Sequence, residues 1–392
     1  MVAVIAGGAY NVPSELLDRF DIIGVDPRGV GLSGPTMCDG AIWKERVSLF
    51  PKTKEEYDRL VDKNRRLGES CIEMTGGVVN YLDTISAARD LEAVRAALGE
   101  KMNWLGTSYG SQLGAQYAEL FPDNVRAMVF DGILQHSQAD SSNILIEGTA
   151  YATALESFFA WASKHDSSPL RGQDVEKLWY SILENATSSP IPAPDCKDAC
   201  RRDVNAEEIR LNAQAFLTSA TDPARMMFAD ALQQASKGNA SLLSTQFPDS
   251  HNPFGFAGLA IGCQDWPSRA PSFADFQAKM RIGELFAPLN NGASQTWTLQ
   301  ASCVGWPAPP RNPPAKLKVK TKNPILMVQS TRDPSSSYAW AAGMMEEIEN
   351  HVLLMRNGDG HTSWAQFPAT TDAINQFLIS LEPPAPGTVL EE

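Results

Sequence analysis

The sequence predicts an α/β fold: a mostly parallel sheet with helices on both faces and a large helical insertion. Three observations carry that expectation. Short, continuously apolar runs of strand length alternate with helix-length segments at both ends of the chain. Between about Gln135 and Pro314 the alternation gives way to helical segments, Pro-rich connectors and four of the six cysteines. At Asn103-Trp104-Leu105-Gly106-Thr107-Ser108-Tyr109-Gly110 a buried strand runs into a G-x-S-x-G turn and then a helix over 111–120.

In chain order, Val2 to Ala6 reads as a short strand followed by Gly7-Gly8, and Pro13-Ser14-Glu15 opens a short helix through Arg19. Phe20 to Val25 (FDIIGV) reads as a strand buried on both faces. It ends in the turn-rich loop Asp26-Pro27-Arg28-Gly29-Val30-Gly31-Leu32-Ser33, where Asp26 and Arg28 are expected to tie down their own loop. Glu55 to Glu69 reads as a charged, solvated helix. Asp83 to Leu98 carries an apolar stripe of Ile85, Ala88, Leu91, Val94 and Leu98. The serine turn follows, then a strand at Val125 to Phe130.

Within the insertion, helices are expected over 144–164, 173–185, 206–217 and 224–236. The α/β pattern resumes with strand Ile325 to Gln329, helix Tyr338 to Glu349, strand His351 to Met355 and helix Thr371 to Leu381. The tail from Pro383 reads as loose. The expected division is a core over 1–134, a helical lid over 135–314 and the rest of the core over 315–392.

Bulk properties narrow the function. The chain has 392 residues, 43% hydrophobic and 20% charged, with a formal charge of −13. That charge argues against nucleic acid or an anionic membrane surface as partner, and no apolar run is long enough to cross a bilayer. The cysteines at 38, 71, 196, 200, 263 and 303 have no histidine company of the zinc-ligand kind, so no metal is expected. Their simplest pairing is Cys38–Cys71, Cys196–Cys200 and Cys263–Cys303, although six cysteines permit fifteen connectivities. Asn185-Ala-Thr187 and Asn239-Ala-Ser241 are glycosylation sequons. Cysteines and sequons hint at secretion, while Val2 to Ala6 lacks the length and basic flank of a signal peptide.

The chemistry is expected at Ser108. A strand turning sharply into a helix strains its apex residue, and small neighbours such as Gly106 and Gly110 let the chain close that tightly. The helix N-terminus then aims its N–H groups at the same point. A serine hydroxyl needs a base in hydrogen-bond reach, itself oriented by a carboxylate. Of five histidines, His361 in Gly358-Asp359-Gly360-His361-Thr362-Ser363 directly follows a strand. Asp333 in Ser330-Thr331-Arg332-Asp333-Pro334 follows the strand before it. Taken singly, a loop histidine is ordinarily a solvated side chain and Asp-Pro a turn. Three such residues in the order Ser, Asp, His, each past its own strand, favour a triad. His136 is the rival base. Asp359 rivals Asp333 but lies too near His361 in sequence to orient its ring.

Four stretches then carry a resemblance: Asp26-Pro27-Arg28-Gly29-Val30-Gly31, Gly106-Thr107-Ser108-Tyr109-Gly110, Thr331-Arg332-Asp333-Pro334 and Gly358-Asp359-Gly360-His361-Thr362. With Ile261-Gly262-Cys263-Gln264-Asp265 and Ser302-Cys303-Val304-Gly305-Trp306-Pro307, they make the chain resemble the tripeptidyl aminopeptidase-like branch of the α/β-hydrolases, relatives of prolyl aminopeptidase. The resemblance implies Ser108 as nucleophile, His361 as general base and acid, Asp333 as orienting carboxylate and the Tyr109 N–H as an oxyanion donor. It needs no cofactor, and it implies removal of short peptides from a free N-terminus outside the cell.

That family opens with a strand and a Gly-Gly-Pro-Gly-type loop that supplies the second oxyanion donor. Here Gly7 precedes Asp26 by only 19 residues. The expectation is therefore a chain that starts late, without that donor. The alternative is that Val2 to Ala6 and Gly7-Gly8 are a shortened version of strand and loop. An exopeptidase also needs a carboxylate facing the substrate ammonium. Asp265 and Glu147 are the candidates, while Trp266, Trp297 and Trp306 line a pocket or sit in the core. Rival functions are an esterase, lactonase or thioesterase acting on a small ester substrate, and a degenerate remnant with an impaired oxyanion hole. Oligomeric state is not legible.

Overall fold

The computed structural model describes residues 12–248, 254–268 and 270–391. Its centre is a parallel sheet of β1 (Met102–Thr107), β2 (Val125–Asp131), β5 (Ile325–Arg332), β6 (His351–Asp359) and β7 (Val389–Glu391), side by side in that order. β3 (Ile191–Pro192) and β4 (Asp203–Val204) form a separate antiparallel pair. Alternation along the strands sorts the apolar runs onto two faces. Met128, Phe130, Ile325 and Met327 join one core cluster, and Ala127, Val129, Leu326 and Val328 the other.

Helices cover both clusters. α1 (Ser14–Leu17) is a short turn of helix, followed by α2 (Gly40–Lys44) and α3 (Lys54–Thr75). α4 (Thr84–Leu98) starts where the Asp83 carboxylate accepts the Ser86 N–H and stops at left-handed Gly99. Together with α5 (Tyr109–Leu120) it seals the first face, and Leu16 of α1 packs on the second. The α4 stripe is rotated from the expected one: Ala87, Ala88 and Leu91 are buried, whereas Val94 and Leu98 are exposed. α3 is longer than expected and not merely solvated, since Tyr57, Leu60, Leu67 and Cys71 form a buried face.

Between β2 and β5, which are hydrogen-bonded neighbours, the chain makes a long helical excursion. It comprises α6 (Asp140–Lys164), α7 (Val175–Ser188), α8 (Ala206–Ala213), α9 (Asp222–Ser236), α10 (Phe254–Asp265), α11 (Phe273–Phe286) and α12 (Gln295–Cys303). The last three were not expected. α10 is apolar on nearly every side and carries three glycines, so it shows no stripe to read. The excursion has its own core, built around Phe158, Trp179 and Phe228. α13 (Tyr338–Met345) and α14 (Pro368–Ser380) complete the two outer layers. The disulfides are Cys38–Cys71, Cys196–Cys200 and Cys263–Cys303.

Two expectations fail here, and a third lies outside the described residues. Residues 20–25 are not a strand, and Ile22 and Ile23 are 40% and 56% exposed. A strand needs a neighbour to satisfy its ladder. Among the described residues β1 pairs only with β2, and none of their strands lies beside residues 20–25. The tail is not loose throughout: β7 adds a parallel edge strand to β6 through Val389, Leu390 and Glu391. Val2 to Ala6 and the Gly7-Gly8 turn belong to residues 1–11, outside the described residues. Among the described residues, no helix is long and apolar enough to cross a membrane and no cluster of potential metal ligands occurs.

Candidate active site

β1 ends at Thr107, α5 begins at Tyr109, and Ser108 between them has φ 54° and ψ −122°. A non-glycine residue in that region is strained. The strain is held in place from three directions. Ser108 N–H donates to the Asp131 carbonyl at 2.8 Å, and the Ser108 carbonyl accepts from Ser111 N–H at 2.8 Å and Ser111 Oγ at 2.6 Å. The need for glycine is uneven. A Cβ at Gly106 would sit 2.2 Å from the Gly110 carbonyl oxygen, whereas one at Gly110 meets nothing within 4 Å. Close approach of backbone to backbone explains Gly106; the expectation for Gly110 has no steric basis here.

His361 lies beyond β6 on a loop with two further left-handed non-glycine residues, Thr362 and Ala365. Its Nδ1 is 2.9 Å from Asp333 Oδ2 and 3.0 Å from Oδ1. Asp333 is buried, and its Oδ1 accepts the N–H groups of Ser335 (2.8 Å) and Ser336 (2.7 Å). Ser336 Oγ donates to Oδ2 at 2.7 Å. Burial alone would raise the Asp333 pKa, but His361 and these donors outweigh it, and the carboxyl lies below its usual range. Burial likewise works against the imidazolium. The Asp333 charge, with smaller help from Asp131 and Glu147, leaves His361 above its ordinary value.

Ser108 and His361 both border the end of β2. Asp131, whose carbonyl holds Ser108, is followed by Gly132, and a Cβ there would lie 3.1 Å from His361 Cε1. The two rivals are otherwise engaged. His136 is buried, its Nε2 2.8 Å from the Asp265 carbonyl oxygen and its ring edge-on to Trp266. Asp359 is taken by Arg225 (2.6 Å), Arg332 (2.7 Å) and Ser157 Oγ (2.9 Å). Arg28 forks onto Asp90, and Asp26 accepts the Leu32 N–H, so both serve their loop.

Both candidate ammonium-facing carboxylates are fully enclosed. Glu147 Oε1 accepts Gln214 Nε2 at 2.8 Å, and Oε2 accepts the Thr296 N–H at 2.5 Å. The same Gln214 nitrogen reaches the Pro334 carbonyl at 2.7 Å, tying α6 to the Asp333 loop. Asp265 accepts Thr84 N–H at 3.0 Å, Thr84 Oγ1, and Asn312 Nδ2 at 3.1 Å. Thr84 Oγ1 in turn lies 2.6 Å from the Tyr109 hydroxyl. Burial pushes both carboxyls up, each to about 7. Trp297 is core, packed on Phe50 and Phe276.

Sequence reasoning passed over the residues that hold this constellation. Ser336, Gln329 (which accepts the Ile133 N–H and donates to the Ser336 carbonyl) and Asp131 were not singled out. The run Ser335-Ser336-Ser337 after Asp-Pro is the one signal for hydroxyl support, and a carboxylate closing a largely apolar strand is the signal for Asp131.

Comparison with known proteins finds similar hydrolases. Residues 287–390 match the family model described as TAP-like protein. The serine protease Hip1 of Mycobacterium tuberculosis is 25% identical over 419 residues, covering 97% of this chain and 76% of that protein. The tripeptidyl aminopeptidase of Streptomyces lividans is 26% identical over 394 residues, covering 92% and 68%. Carboxylesterase B of M. tuberculosis is 24% identical over 384 residues, covering 93% and 71%. The parallel sheet between its two helical layers, the strained serine at the β1–α5 turn and these matches identify the chain as a hydrolase of the α/β-hydrolase fold, similar over its C-terminal part to TAP-like proteins and over most of its length to a tripeptidyl aminopeptidase.

Proposed function

We propose that the chain is a serine hydrolase that releases short peptides from free N-termini through an acyl-enzyme. The observation that carries the reading is the His361–Asp333 pair, held at 2.9 Å on a loop packed against Gly132, the residue after Asp131, whose carbonyl accepts the Ser108 N–H. Ser108 Oγ attacks the scissile carbonyl while His361 Nε2 takes its proton. Asp333 keeps the other proton on Nδ1 and balances the imidazolium. The oxyanion lies at the N-terminus of α5, where the Tyr109 N–H and the helix dipole face it. The imidazolium gives its proton to the leaving amine, and water then reverses the sequence to free the acyl group.

Glu147 is the better placed of the two carboxylates for the substrate ammonium. It stands one glutamine away from the Asp333 loop, and an incoming cation would draw it into the ionised form that burial disfavours. Asp265, which accepts three protein donors, ties the C-terminal end of α10 to α4. The excursion acts as a lid. The three disulfides suit an oxidising compartment.

A second reading, an esterase with the same machinery, is favoured by the likeness to carboxylesterase B. A fluorophosphonate probe tests the nucleophile: labelling that persists in Ser108→Ala refutes it. Comparing a tripeptide amide with a p-nitrophenyl ester separates the substrates. Glu147→Gln is expected to depress turnover of the peptide while sparing the ester, and equal losses on both would remove Glu147 from the ammonium site.

A further inference from the structure

Asp131 has no part in the mechanism above, yet three segments of the site meet on it. It closes β2 and is fully buried. Its main-chain carbonyl accepts the Ser108 N–H at 2.8 Å. Its Oδ2 accepts the N–H groups of Ser363 and Trp364, each at 2.7 Å, just past His361 on the base loop. Oδ1 has no hydrogen-bond partner among the described residues. The next residue, Gly132, adopts φ 72° and donates its N–H to the Val328 carbonyl at 3.0 Å. A Cβ there would come within 3.1 Å of His361 Cε1, 3.1 Å of Ser336 Oγ and 3.0 Å of Thr362 Cγ2. The end of β2 therefore touches the nucleophile turn with its backbone, the base loop with its side chain and the imidazole with its glycine.

Other charges also face that ring. Asp333 binds it from the β5 loop, and Glu147 acts on it from α6. On its own loop Asp359 is matched by Arg225 and Arg332, and Arg356 lies beneath, donating to the carbonyls of Asp359 and Gly360 and to Ser363 Oγ. Ser363 is thus gripped twice: by Asp131 at its N–H and by Arg356 at its hydroxyl. Burial, with the nearby Asp333 charge, holds the Asp131 carboxyl above its usual range, and the two N–H donors and His361 offset this only in part.

We propose that Asp131 is a positioning residue that sets Ser108 and His361 in register and supplies a second negative charge to the imidazolium formed during acylation. The inference rests on reading Ser108 and His361 as nucleophile and base. In the step concerned, the Ser108 Oγ proton moves to His361 Nε2 as the Oγ–acyl bond forms. Asp131 exchanges no proton; its charge and its two N–H bonds act through the loop. Gly132 belongs to the same device, because only a residue without Cβ lets the turn approach the ring this closely.

The test is the initial rate of fluorophosphonate labelling of the full chain between pH 5 and 9, with thermal melts alongside. Asp131→Asn keeps the shape and an acceptor for the two N–H groups but removes the charge. Labelling requires a neutral imidazole, so its acid limb is expected to move to lower pH by about half a unit or more. Asp131→Ala also releases the loop, and its rate is expected to fall about a hundredfold, the scale set by a misplacement of about 1 Å. A purely structural role would lower the melting temperature and leave the acid limb of Asp131→Asn unmoved. That result overturns the proposal, as does a limb that moves upward. Should Asp131→Ala not melt cooperatively, the acid limb of Asp131→Asn decides the matter alone. An unlabelled wild-type chain sinks the reading of Ser108 and this inference with it. A labelled wild type with an unmoved Asp131→Asn limb sinks this inference only.

Discussion

Replacing Asp333 by Asn should cost far more activity than stability, and the structure shows why. Oδ1 of Asp333 accepts two backbone N–H groups, from Ser335 and Ser336 at 2.8 and 2.7 Å. An asparagine therefore keeps its carbonyl oxygen there and puts its NH2 where Oδ2 now lies, 2.9 Å from His361 Nδ1. The amide then donates to Nδ1 and forces the ring proton onto Nε2, the atom that must receive the Ser108 proton. Holding a triad histidine in the wrong tautomer costs about 10⁴ in kcat, or roughly 5.5 kcal/mol of barrier at 1.36 kcal/mol per decade. The loss should fall on kcat with KM little changed, since Asp333 is buried behind His361. Steady-state turnover of a p-nitrophenyl ester measures it, with a thermal melt to show that the fold persists. A variant that keeps more than a tenth of wild-type kcat would refute the assignment of Asp333 as the orienting carboxylate.

Two further outcomes follow from burial and from packing. Glu147 and Asp265 stand near 7 because burial opposes their charge, so the folded chain holds these protons more tightly than the unfolded one. Their contribution to stability is fullest below about pH 4 and declines as pH rises from about 4 to 7, by on the order of 3 kcal/mol each. His361 adds to the same trend, since its raised pKa favours the fold until pH passes that value. Urea midpoints should therefore be higher at pH 5 than at pH 8, with the difference smaller in Glu147→Gln; equal midpoints would show that both groups ionise freely. At the serine turn, Gly106→Ala drives a methyl to 2.2 Å from the Gly110 carbonyl oxygen and should destabilise by about 3 kcal/mol or more. Gly110→Ala, with open space around it, should stay within about 1 kcal/mol of wild type. A reversal of that order by denaturant melts would mean the turn closes by some other contact.

What the sequence discloses about this site divides along a physical line. Ser108, Asp333 and His361 stand out as candidates in the sequence because each is a chemical oddity at the end of an apolar run. The run at β5 comes out at nearly the expected position because a buried parallel strand is continuously apolar. By contrast β1, with only Gly106 buried, and β6, buried at alternate positions, are marked chiefly by the turns that end them. The same reasoning fails on residues 20–25, whose composition is equally strand-like, because strand formation is a property of a pair and the composition of one segment carries nothing about its neighbour. The residues that hold the site are illegible for a related reason. Gln329, Ser336 and Asp131 act through contacts with Ile133, Asp333 and Ser363, and the Asp131–Ser363 hydrogen bond spans 232 residues. No local periodicity encodes a partner that distant. The chemistry is written in single residues, but its geometry is written in pairs. On that ground Asp131→Asn tests the site more severely than any substitution within the triad. It asks whether a residue outside the reacting set is required to make an ordinary serine and an ordinary histidine act as one group.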